Sequence, residues 1–319
     1  AVGGDVPAFV VSSVEVREVS ELRDFDVPTA SGALVKAALV VLGAVDVGES
    51  APALEKQLEK LVGTASTGIE IETWSELPRG SGLGTSSILA ATVLGALSRA
   101  IGLAISRPAL CHLVLKLEQA LTTGGGYQDQ AGGIWSGVKA STCPQGLPLR
   151  VSVTPLGSSE SAAFLEKHLF IVYTGMTRLA KNLLARVLRQ WALRENGVTG
   201  VVARLRANAI ECATAIEARD AQALGRCFER YWELKKRMAP DAEPKRVAVI
   251  RDVLRPLVYG SALAGAGGGG FLVGVAKATG SFAAMEHALE TDARTVGLRW
   301  SIHAVGVDPI GLDVKVGNI

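Results

Sequence analysis

The sequence is poor in the residues that staple a fold, chelate a metal or attract partners by bulk charge. Four cysteines stand among 319 residues, at Cys111, Cys143, Cys212 and Cys227, widely spaced and without a Cys-x-x-Cys pair. That spacing argues against a disulfide framework or a zinc site and for free thiols in a reducing cytosol. The four histidines, His112, His168, His287 and His303, show no ligand spacing. Charge of one sign is lacking too: 33 Lys and Arg against 31 Asp and Glu leave a formal +2. No basic run breaks the balance, so neither nucleic acid nor an anionic membrane is an expected partner. Residues 1–11 lack the basic start of a secretory leader. The longest uncharged stretch, 256–276, is centred on Gly265-Ala266-Gly267-Gly268-Gly269-Gly270, a poor helix, which excludes a membrane span there. A cytoplasmic protein is expected.

Hydrophobic residues at 48% and charged ones at 20% allow a sizeable core. Residues 10–16 and 69–74 have the alternation of strands, and 32–43 reads as an apolar helix. A helix is predicted from Ser86 to about Ala100. A second follows Ser106, with Pro108 in its first turn and a stripe of Leu110, Leu113, Val114, Leu117 and Leu121. Residues 124–133 read as a glycine-dense loop. Strands are predicted at 149–153, 169–173, 271–276 and 301–307, with a helix between the last two. Residues 178–237 read as helical with a break near 195–200, and a helix is expected at 245–257. Two lobes follow, 1–175 and 176–319, both mixing helix and strand.

The informative segment is Pro78-Arg79-Gly80-Ser81-Gly82-Leu83-Gly84-Thr85-Ser86-Ser87, between a predicted strand and a predicted helix. Glycines let backbone N–H groups approach an anion closely, and a helix N-terminus adds donors. The hydroxyls of Thr85, Ser86 and Ser87 can meet phosphate, meet a metal or cap the helix. No Lys-Ser/Thr follows the last glycine, so this is not a Walker A loop. The later match Gly265-x-Gly267-x-x-Gly270 leads into the strand-like Phe271-Leu272-Val273, where a dinucleotide fingerprint requires a helix. That stretch reads instead as closely approaching backbone, either tightly packed or lining a ligand.

Two carboxylates could carry chemistry. Glu118, four residues after Val114, lies at the edge of a buried stripe. Taken alone it reads as a helix-edge residue reaching solvent. Asp129 lies among glycines that leave room for a ligand, although loop aspartates also bond local backbone. Phosphoryl transfer needs a cation on the phosphates and a group acting on the attacking hydroxyl. Ser86 with Glu118 offers hard oxygen ligands suited to Mg²⁺, and Asp129 could act on the hydroxyl.

Residues 78–87 closely resemble the second motif of the GHMP kinase superfamily, and Leu263-Ala264-Gly265-Ala266-Gly267-Gly268-Gly269-Gly270 is similar to its third. Finer matches resemble the L-fucokinases: Thr73-Trp74-Ser75-Glu76-Leu77-Pro78, Leu117-Glu118-Gln119 leading into Leu121-Thr122-Thr123-Gly124-Gly125-Gly126-Tyr127-Gln128-Asp129-Gln130, Val172-Tyr173-Thr174-Gly175-Met176-Thr177-Arg178-Leu179-Ala180, and Trp232-Glu233-Leu234-Lys235-Lys236-Arg237-Met238-Ala239-Pro240. The resemblance implies an α+β, two-lobed fold with a ribosomal-S5-like first lobe and a ferredoxin-like second. It implies ATP-dependent phosphorylation of the anomeric hydroxyl of L-fucose, with D-arabinose as a related acceptor, for GDP-fucose salvage. ATP would be held by Pro78, Gly80, Ser81, Gly82, Leu83, Gly84, Thr85, Ser86, Ser87, Gly265, Gly267, Gly268 and Gly269. Ser86 and Glu118 match the Mg²⁺ ligands and Asp129 the catalytic aspartate. Gly125, Gly126, Thr177 and Arg178 match positions near the substrate.

Two departures accompany the resemblance. The superfamily's N-terminal first motif, which helps bind the sugar, has no counterpart. The chain is therefore expected to be part of a longer protein, of the kind fused to a sugar-1-phosphate nucleotidylyltransferase. Ala264 replaces the hydroxyl residue often found in the third motif. The alternatives are another GHMP sugar kinase, such as a heptose-phosphate kinase, or a nucleotide-binding module without catalysis.

Overall fold

The computed structural model describes residues 13–63, 68–77, 80–121, 125–146, 149–176, 181–279 and 282–317. In its first lobe, helices α1 (Ala33–Val41), α3 (Thr85–Ala100) and α4 (Arg107–Ala120) share one apolar core. Ala37, Ala38, Ala90 and Ala91 lie at this contact, where small side chains let helix axes approach, and Leu94, Val114 and Leu117 fill the space between. Ser106 starts α4 as expected, its hydroxyl accepting from the Ala109 N–H at 3.4 Å. Helix α2 (Leu54–Val62) covers a smaller cluster of Leu22, Val45 and Leu54. Helix α5 (Gln128–Ile134) packs on α3 and α4, and β1 (Lys139–Thr142) pairs antiparallel with β2 (Ser152–Pro155).

Three expectations for this lobe are corrected. Residues 69–74 form no ladder: among the described residues no strand pairs with them to take up their backbone groups. Ile71 still packs on the core, while Trp74 is 72% exposed. Residues 13–16 also join no ladder, and 10–12 lie outside the described residues. The glycine-dense segment is not all loop. Its second half is α5, with Ala131 and Ile134 buried against α3 and α4 despite Gly132 and Gly133.

The second lobe holds a four-stranded sheet of β3 (Leu169–Tyr173), β4 (Val258–Leu263), β5 (Phe271–Ala276) and β6 (Ser301–Ala304). Their spatial order is β4-β5-β3-β6, every neighbouring pair antiparallel. Strand β3 precedes the expected division at 175/176, yet it forms an inner strand of this sheet. The sheet's core is Phe170, Val172, Leu263 and Leu272 against Trp232 of α9 (Ala221–Met238), Ile250 and Leu254 of α10 (Lys245–Leu254), and Met285 and Leu289 of α11 (Ala283–Thr291).

Helices α6 (Ser159–His168) and α8 (Val198–Glu217) build a further cluster with α9 and Val275. Helix α7 (Lys181–Ala192) precedes the break at 195–197. A second break at 218–220, where Arg219 adopts φ 55°, separates α8 from α9. Helix α9 lies directly on β4, since a Cβ on Gly260 would stand 2.0 Å from the Gly225 carbonyl oxygen. That approach needs glycine.

The uncharged stretch 256–276 contains β4, the second glycine loop and β5 as a buried hairpin. Among the described residues no helix is long and apolar enough to cross a membrane. Helix α10 ends at Leu254, short of the expected 257, in a 3-10 turn containing Pro256.

Candidate active site

Two glycine loops, one from each lobe, meet back to back. Gly80, Gly82 and Gly84 take φ of 72°, 78° and 71°, the left-handed region where side chains are strained. Ser81 between them is fully buried. Its carbonyl accepts from the Phe271 N–H at 3.1 Å, and its hydroxyl accepts from the Leu83 N–H at 3.4 Å. A Cβ on Gly265 would fall 2.8 Å from the Gly82 Cα, and one on Gly270 would fall 2.1 Å from the Ser81 oxygen. The second loop is therefore tightly packed. Gly268 donates to Ala242 at 2.7 Å and Gly270 to Met176 at 2.7 Å. Gly267 and Gly269 press on Ala242 and Met176. The N–H of Gly268 is thus engaged within the protein, while Gly265 lies against the first loop.

Gly84 is the N-cap of α3, and no side chain caps that helix end. Among the described residues the first-turn N–H groups thus have no side-chain acceptor, the arrangement that favours an anion. Thr85 is half-buried, Ser86 exposed and Ser87 buried. Ser87 donates to Oε1 of Glu118, whose other oxygen accepts from Nε2 of Gln130 at 2.5 Å. Glu118 is only 7% exposed, so it does not reach solvent from the helix edge. The hydroxyl that meets it belongs to Ser87, one residue beyond the expected partner Ser86.

Asp129 sits in the first turn of α5 against the first loop, where a Cβ on Gly84 would lie 2.8 Å from both Cβ and Cγ of Asp129. Gly125 adjoins Glu118, its imagined Cβ 3.6 Å from Oε2, and Gly126 lies beside the Gln128 side chain. Burial pushes the Glu118 carboxyl upward. The Ser87 and Gln130 hydrogen bonds oppose that shift, and the charge of Asp129 adds to it. Burial also raises Asp129, against the pull of Lys235. Pro78, Thr177 and Arg178 lie outside the described residues.

The sequence reading did not single out Lys235 or Gln130 as site residues. Lys235, on α9, donates to the Gly265 carbonyl and, at 3.0 Å, to the Tyr231 hydroxyl. Gln130 is fully buried, and its Oε1 has no partner among the described residues. Position gave the available signal: Gln130 follows Asp129, and Lys235 lies in the segment 232–240 that resembles fucokinases.

The site thus brings two mutually repelling carboxylates, hydroxyls and an orphaned amide oxygen beside an anion cradle. That donor set is all oxygen. It fits a hard divalent cation carrying phosphates and waters rather than a cage of protein ligands. Among the described residues no group of three or more His, Cys, Asp or Glu is placed to chelate a metal by itself.

Family profiles match the chain over both lobes: GHMP kinases N terminal domain over residues 46–137 and GHMP kinases C terminal over 212–293. The chain belongs to the GHMP kinase family. It is similar to the L-fucokinase/L-fucose-1-P guanylyltransferase of Bacteroides fragilis, at 35% identity over 82% of this chain and 28% of that protein. It is similar also to the bifunctional fucokinase/GDP-fucose pyrophosphorylase of Arabidopsis thaliana, at 37% identity over 76% of this chain and 22% of that protein. The chain therefore spans about a quarter of the length of these relatives. The fold is shared with Streptococcus pneumoniae phosphomevalonate kinase, at TM-score 0.59 and 12% identity over 86% of this chain and 82% of that one. The two-lobed α+β fold implied by the motifs is the observed one. GHMP kinases are ATP-dependent phosphotransferases.

Proposed function

We propose that this chain is the kinase portion of a sugar kinase that phosphorylates the anomeric hydroxyl of L-fucose, with D-arabinose as a second acceptor, in GDP-fucose salvage. One observation carries the reading: Asp129, Glu118 and both glycine loops converge at one place, in a chain whose 35% and 37% identical relatives are named fucokinases. The sugar oxygen attacks the γ-phosphorus of ATP while the bond from that phosphorus to the β,γ-bridging oxygen breaks. ADP leaves with the bond's electron pair, and the hydroxyl proton passes to Asp129. A carboxyl raised by burial holds that proton better than an exposed one, as a general base requires.

The residues fit Mg²⁺, which Glu118 and Ser86 would hold and which supplies charge neutralisation on the phosphates. Ser87 and Gln130 fix the Glu118 carboxylate, and the first-turn N–H groups of α3 receive phosphate oxygens. In the native protein, a fused sugar-1-phosphate nucleotidylyltransferase would consume the product.

The test is a panel of acceptors with labelled ATP. Label on fucose, and more weakly on arabinose, is the expected result. Label on a heptose 7-phosphate but not on free fucose would overturn the assignment of substrate. ATP binding without transfer to any sugar would make the chain a nucleotide-binding module.

A further inference from the structure

Helix α9 belongs to the second lobe, yet it delivers one cation to the site of the first. The Lys235 stem runs beside Tyr231, one helical turn earlier, with its ammonium 5.4 Å from the ring centroid and 3.0 Å from the hydroxyl. The same ammonium donates to the Gly265 carbonyl. Gly265 abuts Gly82, and Gly84 abuts Asp129, so Lys235 stands where the two loops join. An ammonium has three donors. Two are engaged with Gly265 and Tyr231, and the third has no partner among the described residues. Asp129 feels the lysine's charge, yet among the described residues no ion pair joins them. Cation and carboxylate thus both adjoin the joined loops, Lys235 through Gly265 and Asp129 through Gly84.

We propose that Lys235 is a phosphate-contacting residue of this site, its third donor directed at the terminal phosphoryl group of the bound nucleotide. The proposal rests on the phosphotransfer reading and adds a residue to it. In the transfer itself Lys235 makes and breaks no bond. It keeps its protons and takes up charge on the phosphoryl oxygens as the sugar O–P bond forms and the bond to ADP breaks. Tyr231 and the Gly265 carbonyl fix its direction. Nucleotide binding thereby becomes a property of both lobes, because a second-lobe helix contacts a phosphate cradled by the first.

The alternative role for Lys235 is a structural clip on the second glycine loop, and direct binding separates the two. Lys235→Met keeps most of the apolar stem, and Lys235→Arg keeps the charge. Calorimetric affinities of the full chain for ATP, ADP and AMP, each with Mg²⁺, are measured beside ligand-free melting curves. Loss of one charge-assisted contact predicts that Lys235→Met weakens ATP about tenfold or more, ADP less, and AMP hardly at all. Lys235→Arg should recover much of the ATP loss, and the ligand-free melting temperature should stay close to wild type. Equal weakening of all three nucleotides together with a lowered melting temperature would make Lys235 a clip and overturn the proposal. Unchanged ATP affinity in Lys235→Met would overturn it as well. A wild-type chain that binds no adenine nucleotide is a distinct outcome, which removes the phosphotransfer reading and this proposal with it.

Discussion

Ser87 donates its hydroxyl hydrogen to Glu118 across 31 residues of sequence, tying the first turn of α3 to the last turn of α4. A buried carboxylate needs such donors, because each one lost leaves charge in an apolar setting. Ser87→Ala should therefore cost about 1–3 kcal/mol of stability and lower the melting temperature. Ser86→Ala, at an exposed position, should shift stability by no more than about 0.5 kcal/mol while weakening the Mg²⁺ dependence of nucleotide binding. Melting curves and Mg²⁺ titrations of the two variants check the division of labour. Equal destabilisation by both would refute it.

A second prediction concerns the charged network under the second lobe. Arg251 reaches Glu243 at 2.7 Å and Glu229 at 2.9 Å, and the Trp232 indole donates to Glu243 at 2.6 Å. Burial raises the Glu243 carboxyl, but the Trp232 and Arg251 bonds and the charges of Arg251 and Lys236 outweigh it, and the net shift is downward. A depressed carboxyl contributes stability above its unfolded value, and that stability is lost as pH falls through the folded value. Arg251→Met leaves Glu243 without its main cation and should cost about 3–5 kcal/mol at neutral pH. The gap to wild type should narrow as pH falls below 4.5, the ordinary value for this group. Denaturant melts at neutral and acidic pH measure it, and a gap constant with pH would contradict the assignment.

Much of this site was legible in the sequence because its chemistry is local. The glycines before α3, Glu118 and the nearby Asp129 all lie within residues 80–129 and were legible as candidates, although Glu118 read as a helix-edge residue reaching solvent and is in fact buried. Ser87 was legible as a hydroxyl but not as the partner of Glu118, since the choice between Ser86 and Ser87 depends on how α3 is rotated against α4. Lys235 depends on the docking of α9 against β4, made by Gly225 and Gly260, and no local pattern reports that contact. In the fold, β5 was legible as an apolar run, and β3 and the long helices follow their periodicity. Strand β4 does not, because Val258-Tyr259-Gly260-Ser261-Ala262-Leu263 is nearly all buried and shows no alternation. Residues 69–74 alternate clearly and still form no ladder, because a strand also needs a neighbour.

The two glycines Gly84 and Gly102 offer a controlled comparison. Both sit at positive φ, 71° and 74°, so alanine at either should cost about 1 kcal/mol of backbone strain. Only at Gly84 does the added Cβ meet Asp129, at 2.8 Å, whereas at Gly102 nothing lies within 4 Å. Both variants should melt slightly below wild type. Gly84→Ala alone should lose phosphotransfer, by roughly a hundredfold if Asp129 is displaced by as much as an ångström. Comparable activity in the two would show that the Gly84–Asp129 contact does not set the position of the carboxylate.

Asp129 should reveal itself by a gain as well as a loss. Its carboxyl is raised above the ordinary 3.8, by burial first, with Lys235 opposing. The folded chain therefore binds this proton more readily than the unfolded one. Stability falls as pH climbs from the unfolded value through the raised folded value, and above that window the cost of a buried carboxylate is felt in full. Asp129→Asn removes the charge while keeping the shape. At neutral pH the ligand-free variant should melt higher than wild type, and the gain should fade as pH drops below about 4, where the wild-type carboxyl is neutral in both states. The same variant should lose turnover and keep Mg·ATP affinity within a few-fold, because Asp129 acts on the sugar hydroxyl and not on the nucleotide. Lower stability at neutral pH with equal loss of binding and turnover would make Asp129 a structural residue.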